Sequence, residues 1–142
     1  MPELNIPLFQ KIHAQITRDP ESHYQGSWET VNECGTSRCL AGWALHFEAH
    51  GDVYERDAYG TSLGWSTQMR TLLDSRDDLK DWWPVHRIAR HLLGLTAEQA
   101  GRLFYSDDET AAEAVRLVAE GDLAGFDWFV AGVELVEFAE DW

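Results

Sequence analysis

The chain has 142 residues, 44% of them hydrophobic and 25% charged, which is the balance of a folded globular domain and excludes a disordered polymer. Eleven Lys and Arg stand against 25 Asp and Glu, and the resulting formal charge of −14 argues against direct binding to nucleic-acid phosphates. No run of about eighteen apolar residues is present and residues 1–10 hold no basic-then-apolar leader, so the expectation is a single globular helical domain over 1–142, cytoplasmic, with no membrane partner.

Leu8, Phe9, Ile12 and Ile16 recur at helical spacing behind Pro7, and Pro20 requires this first helix to stop by Asp19. Residues 20–33 read as a loop, with Trp28 and Val31 pinning it to a core. Cys34-Gly35-Thr36-Ser37-Arg38-Cys39-Leu40-Ala41-Gly42-Trp43-Ala44 follows. Thr36 is placed as an N-cap for a helix that runs to about His50, with Leu40, Trp43, Ala44 and Phe47 as its apolar stripe and Gly51 as its stop. In that register Cys39 sits at the third helical position, where the positive helix end lowers a thiol pKa.

Cys34, Cys39, His46 and His50 invite a two-Cys, two-His zinc site. A rise of about 1.5 Å per residue, however, separates Cys39 from His46 by roughly 10 Å along the axis, too far for shared ligands. No metal or cofactor is expected. The cysteines admit two readings. In one they are small residues buried where a loop folds onto a helix, with Gly35 making the turn and Gly42 letting another backbone approach. In the other they form a labile thiol pair, although neither Cys-x-x-Cys spacing nor a βαβ pattern surrounds them.

Residues 51–66 lack periodicity and hold three glycines, which suggests an irregular excursion with a short hairpin around Val53-Tyr54 and Ala58-Tyr59. Gln68 to Leu73 forms a short helix. Asp74, Asp77, Asp78 and Asp81 are interleaved with Arg76 and Lys80, the pattern of a solvated segment rather than a catalytic carboxylate pair. Pro84 opens a helix with Val85, Ile88, Ala89, Leu92 and Leu93 on one side, and Gly94 ends it. Thr96 to Gln99 is a capping box for a helix carrying Ala100, Leu103 and Phe104. This pair is read as an αα-hairpin rather than a DNA-reading helix-turn-helix: Gly94 falls one residue late, and Glu98, Gln99 and Arg102 make no basic face. Ser106 to Glu109 is a second capping box, before Ala114, Val115 and Val118, and Asp122 caps a last helix over about Leu123 to Glu140. The fold class is therefore mainly α, a compact bundle of about five to seven helices. No Gly-rich phosphate loop or serine elbow is present, so no catalytic residue is named and the chain reads as a non-enzyme.

The string Cys34-Gly35-Thr36-x-x-Cys39-x-Ala41-Gly42-Trp43-Ala44 resembles a motif of small, mostly uncharacterised proteins of actinobacterial phages and their hosts. A second block, Leu92-Leu93-Gly94-Leu95-Thr96-x-x-Gln99-Ala100-x-x-Leu103-Phe104, resembles them again. The resemblance implies a source, a phage or an actinobacterium, and no activity. Between the two blocks this chain is longer, from about Gly51 to Trp83.

Most of the net charge lies late in the chain: from Asp107 to Trp142 eleven acids face the single base Arg116, a net of −10. Placed on one helical wheel, Leu123, Phe126, Phe129, Val130, Val133 and Val136 oppose Trp128, Ala131, Leu135, Phe138 and Trp142, with Asp127, Glu134, Glu137 and Asp141 on a flank. A helix with two opposed apolar arcs is either central or shared with a partner, and its acids favour the partner. Of seven Trp, four or five are expected in the core and the rest at a binding surface. The expected function is a non-enzymatic protein-binding or inhibitory protein, phage-related, using Trp128, Leu135, Phe138, Trp142, Asp127, Glu134 and Asp141. Its partner would be a basic protein or a second copy, and in one version its carboxylates imitate DNA phosphates. The alternative is a small thiol-dependent regulator or sensor using Cys34 and Cys39, with Gly35, Thr36, Gly42 and Trp43 shaping the motif.

Overall fold

The computed structural model describes residues 3–32 and 35–136 and is mainly helical. Its elements are α1 (Ile6–Arg18), a 3-10 turn at Pro20–Ser22, β1 (Thr30–Asn32), β2 (Gly35–Ser37), α2 (Leu40–Ala49), β3 (Tyr54–Arg56), β4 (Ser62–Trp65), α3 (Thr67–Ser75), α4 (Val85–Leu93), α5 (Ala97–Leu103), α6 (Asp108–Ala119) and α7 (Leu123–Ala131). β1 and β2 form one antiparallel pair, with Val31 opposite Thr36. β3 and β4 form the other, with Tyr54 opposite Trp65. The expected hairpin exists, but residues 58–59 lie in its turn, where the Asp57 carboxylate accepts from the N–H groups of Tyr59 and Thr61. The return strand starts only at Ser62.

The helix buried on nearly every side is α2: Leu40, Ala41, Gly42, Trp43, Ala44, Leu45 and Ala49 are all buried. α1, α3 and α4 pack around it, as a helix apolar all round requires. Gly42 lets the backbone of the preceding loop touch α2, since a Cβ there would stand 1.7 Å from the Trp28 carbonyl oxygen. Gly94 ends α4 in the left-handed region at φ 73, with the Glu3 carbonyl 1.8 Å from where its Cβ would be. α6 packs on α1 and α7, and Phe9 meets Phe126 edge to face at 6.4 Å between ring centroids.

One buried carboxylate joins three segments. Glu29, its side chain fully buried, accepts at Oε2 from Arg38 Nε at 2.9 Å and from the Val53 N–H at 2.8 Å. At Oε1 it accepts from Arg56 and from the Tyr54 N–H at 3.3 Å. Arg38 also reaches Asp52 at 3.2 Å and lies 4.7 Å over the Trp43 ring. Burial alone would push the Glu29 carboxyl up. The Arg56 hydrogen bond, the Val53 N–H and the Arg38 charge outweigh it and hold the group below its ordinary 4.5. The loop before β1, the entry to α2 and the β3–β4 hairpin thus converge on one charge.

Several helix ends differ from those read off the sequence. Thr36 is not an N-cap: it pairs with Val31 in β2, and the Arg38 N–H donates to the Ser22 carbonyl, so the chain stays extended as far as Cys39. Cys39 itself caps α2, accepting at Sγ from the Gly42 N–H at 3.4 Å. Past α2, His50 rather than Gly51 takes the left-handed position, at φ 60. Asp107, not Ser106, caps α6, because the Ser106 hydroxyl donates back to the Leu103 carbonyl. Residues 20–33 are not loop throughout, since they include the 3-10 turn and β1.

Glu29→Gln should destabilise the fold by about 3–5 kcal/mol in urea denaturation, because it leaves Arg38 buried without its main counter-charge. The wild type holds this stabilisation above the ordinary carboxyl pKa of 4.5 and loses it as pH falls through the lowered folded value, a component the variant should lack. Gly42→Ala should cost about 1–3 kcal/mol in the same measurement, because the Trp28 carbonyl must move away.

Candidate functional site

The cysteine motif wraps the start of α2. Trp43 is buried and its Nε1–H donates to the Ser22 carbonyl at 3.0 Å. Gly35 pairs with Asn32 across the first hairpin, and Cys34 lies outside the described residues. Cys39 is 1% exposed. Burial pushes its thiol up to about 12, against the opposing N–H groups of Gly42 and Ala41. This overturns the expectation of a thiol activated by the helix end: the sulfur is at the N-cap, but the apolar wall around it decides. His46 gives an imidazole N–H to the Gly51 carbonyl at 2.8 Å. Burial, then the Arg38 charge, holds its pKa down. Among the described residues no group of three or more His, Cys, Asp or Glu could hold a metal ion.

α7 is shorter than the sequence suggests. It ends at Ala131, capped through Gly132, so among the described residues the helix expected over 123–140 does not continue through 132–136 and Leu135 does not share a helical face with Trp128. The reason is local. Gly132 weakens the helix, and Arg102 of α5 collects the carbonyls of Ala131 and Val133. The Val136 N–H then donates to the Gly101 carbonyl at 3.1 Å, which turns the chain against α5. Phe126 and Val130 face the core, Phe129 and Val133 are half-buried, and Trp128 is 83% exposed. Leu135 therefore stands beyond the helix and is half-buried, while Asp127 and Glu134 are exposed. Phe138, Asp141 and Trp142 lie outside the described residues. Of the other tryptophans, Trp43 is buried, Trp28, Trp65 and Trp83 pack partly against the core, and Trp82 is exposed.

Two grooves meet at Tyr105–Asp107. One, of about 710 Å³, runs between the loop at Gln25–Trp28 and the α5–α6 junction. The other, of about 850 Å³, runs between that junction and the end of α7, and Trp128, Phe129 and Val133 line it. Tyr105, Ser106 and Asp107 line both. Three helix ends come together here, and Gln25 ties them. Its Oε1 accepts from the first N–H of α2, at Leu40, at 2.7 Å. Its Nε2 donates to the Leu103 carbonyl at 3.2 Å. Its own N–H donates to Asp108 at 2.7 Å. Trp28 meets Tyr105 edge to face at 5.8 Å.

The charge around the grooves is negative. Asp107, Asp108, Glu109, Asp127 and Glu134 are exposed. Hydrogen bonds from Thr110 keep the Asp107 carboxyl below its usual range. The two bases of this region are spent elsewhere, Arg102 on Glu98 and on carbonyls after α7, and Arg116 on Glu113 and Glu120. The sequence reading named Trp128, Asp127 and Glu134 but missed Tyr105, Trp28, Asp107 and Asp108 as groove walls. The signal available was a run of aromatic and acidic residues, Phe104-Tyr105-Ser106-Asp107-Asp108, between two helices.

The chain was compared with protein-family models, with curated proteins and with solved structures, and none of these comparisons returned a match. No helix among the described residues is long and apolar enough to cross a membrane.

Iodoacetamide applied to the native protein should leave Cys39 unmodified over hours while denatured protein is modified at once, as peptide mapping by mass spectrometry would show. Modification of native Cys39 at the rate of a free thiol would contradict its burial.

Proposed function

We propose that this is a non-enzymatic binding protein whose working surface is the pair of acidic, aromatic grooves flanking Tyr105, and that it docks a basic segment of another protein. The observation that carries the reading is Trp128, 83% exposed beside a groove lined by Asp107 and Glu134, neither of which forms an ion pair among the described residues. A large exposed aromatic is a typical interface anchor, and burying it on a partner recovers about 1.5–3 kcal/mol of hydrophobic free energy. The carboxylates supply the complementary field. They would steer a Lys- or Arg-rich partner and repel a second copy of this chain or a nucleic-acid backbone. A partner that itself reads phosphate has the matching surface, so the carboxylates would then stand where phosphates normally bind. The motif's resemblance to small proteins of actinobacterial phages and hosts supplies a setting in which such occupation of a host protein is useful.

The test is capture from a bacterial lysate on the immobilised full chain, in parallel with Trp128→Ala and with Asp107→Asn/Asp108→Asn. The wild type should retain a basic protein that salt releases. Trp128→Ala should weaken that complex by about thirtyfold, the effect of a 2 kcal/mol anchor, through faster dissociation. The Asp variants should slow association and flatten the salt dependence. Because Trp128 is exposed, its loss should leave folding stability within about 0.5 kcal/mol of wild type. Retention unchanged in every variant, or a captured partner that is acidic, would refute the reading.

A further inference from the structure

On α4, two neighbouring arginines form no ion pair among the described residues. Arg38, Arg56, Arg70, Arg76, Arg102 and Arg116 all form ion pairs with carboxylates. Arg87 and Arg90 do not, although Asp77, Asp78 and Asp81 are near in sequence. Among the described residues neither guanidinium has an ion-pair partner or a hydrogen-bond acceptor. In a chain with more than twice as many acids as bases, two half-buried arginines side by side without a carboxylate call for an explanation.

Three buried donors mark the same spot. Arg87 Nε, Arg90 Nε and Trp83 Nε1 are buried and unpaired, and they are the three such side-chain atoms found among the described residues. Buried donors in native proteins nearly always have acceptors. The Arg87 guanidinium carbon lies 4.4 Å from the Trp83 ring centroid and 5.7 Å from that of Trp82, two indoles set at 80° to each other. Cation–π contact restrains the guanidinium, and its Nε donor is left without an acceptor. Arg90 has its pKa lowered by burial and then by the Arg87 charge, which agrees with two cations sharing one neighbourhood. Pro84 caps α4 without a side-chain hydrogen bond, and Arg87 sits in that first turn, so the helix end adds further positive potential.

We infer that Arg87 and Arg90, with Trp83 beside them, form a binding site for a phosphate-type oxyanion. Two guanidinium forks match the several oxygens and double charge of a phosphate better than those of a single carboxylate. The ligand is either free phosphate or the phosphate of a monoester. For an aromatic monoester the exposed ring of Trp82, 71% accessible, offers a stacking surface. This site is separate from the acidic grooves and does not depend on the reading given to them.

The experiment is a titration of the 15N-labelled full chain, following the Arg Nε–H and Trp indole N–H signals by NMR. One arm uses inorganic phosphate, a second phenyl phosphate, and a third sodium chloride at matched ionic strength. Either phosphate should give saturable shifts of Arg87, Arg90 and Trp83 that chloride does not reproduce. Equal affinity in the two phosphate arms assigns free phosphate, whereas tighter phenyl phosphate that Trp82→Ala brings back to the inorganic value assigns an aromatic monoester. Arg87→Gln/Arg90→Gln should weaken binding by about tenfold or more while the remaining spectrum keeps its native dispersion. Should that variant unfold, Arg90→Lys, which keeps the charge and loses the fork, should still weaken binding measurably. Shifts no larger than those in chloride, or saturable shifts that leave Arg87 and Arg90 unmoved, would overturn the inference.

Discussion

Removing the Glu29 carboxylate from water is costly, and the rest of the molecule is arranged so that the cost is met. A lone buried carboxylate would take up a proton or unfold the chain around it. Here two arginines and two backbone N–H groups surround it. The donors come from two stretches: Arg38 from the entry to α2, and Val53, Tyr54 and Arg56 from the start of the β3–β4 hairpin. These stretches are short, although Val53, Tyr54 and Trp65 of the hairpin also pack on the core. The charge adds to that packing, and its directionality sets where each stretch lies. Arg38 carries the constraint further by stacking on Trp43, which couples the ion cluster to the core around α2.

The loop that Glu29 anchors is also the wall of the first groove. Ser27 takes the Cys39 N–H, Trp28 lays its carbonyl on Gly42, and Gln25 bridges α2, the end of α5 and the start of α6. The groove is consequently built on helix ends that are already satisfied, a preformed surface rather than one that must order on contact. Charge is divided across the molecule in the same way. Among the described residues Asp107, Asp108, Asp127 and Glu134 form no ion pair, whereas α4 keeps two arginines without acids. A sequence with a net charge of −14 thus presents two surfaces of opposite character.

Local signals in the sequence located most helices because they act over a few residues. Thr96 and Gln99 form the reciprocal box their spacing implies, and Gly94 and Asp122 end and begin helices as their backbone and side-chain chemistry dictates. The failures have a common cause, which is competition from distant groups. Thr36 has a good cap side chain but is taken by the ladder with Val31. Residues 132–136 have apolar spacing compatible with a helix, yet Arg102 and Gly101, thirty or so positions earlier, capture their backbone. Cys39 lies at a helix end, but its burial depends on loops that no window around it contains. The Glu29 cluster was illegible for the same reason. Charged residues are ordinarily exposed, and nothing within ten residues of Glu29 announces Arg56. At the grooves Trp128 was readable as one aromatic too many for the core, while Trp28 and Tyr105 became neighbours only through the fold.

The most direct test of this account is a 13C NMR titration of the Glu29 side-chain carboxyl in the intact chain. A buried carboxylate held by two arginines should stay ionised below its ordinary value of 4.5 and take up its proton only together with the loss of tertiary structure. A Glu29 resonance that titrates at or above 4.5 while the fold persists would contradict it. The ion cluster would then be incidental to the architecture rather than its organising constraint.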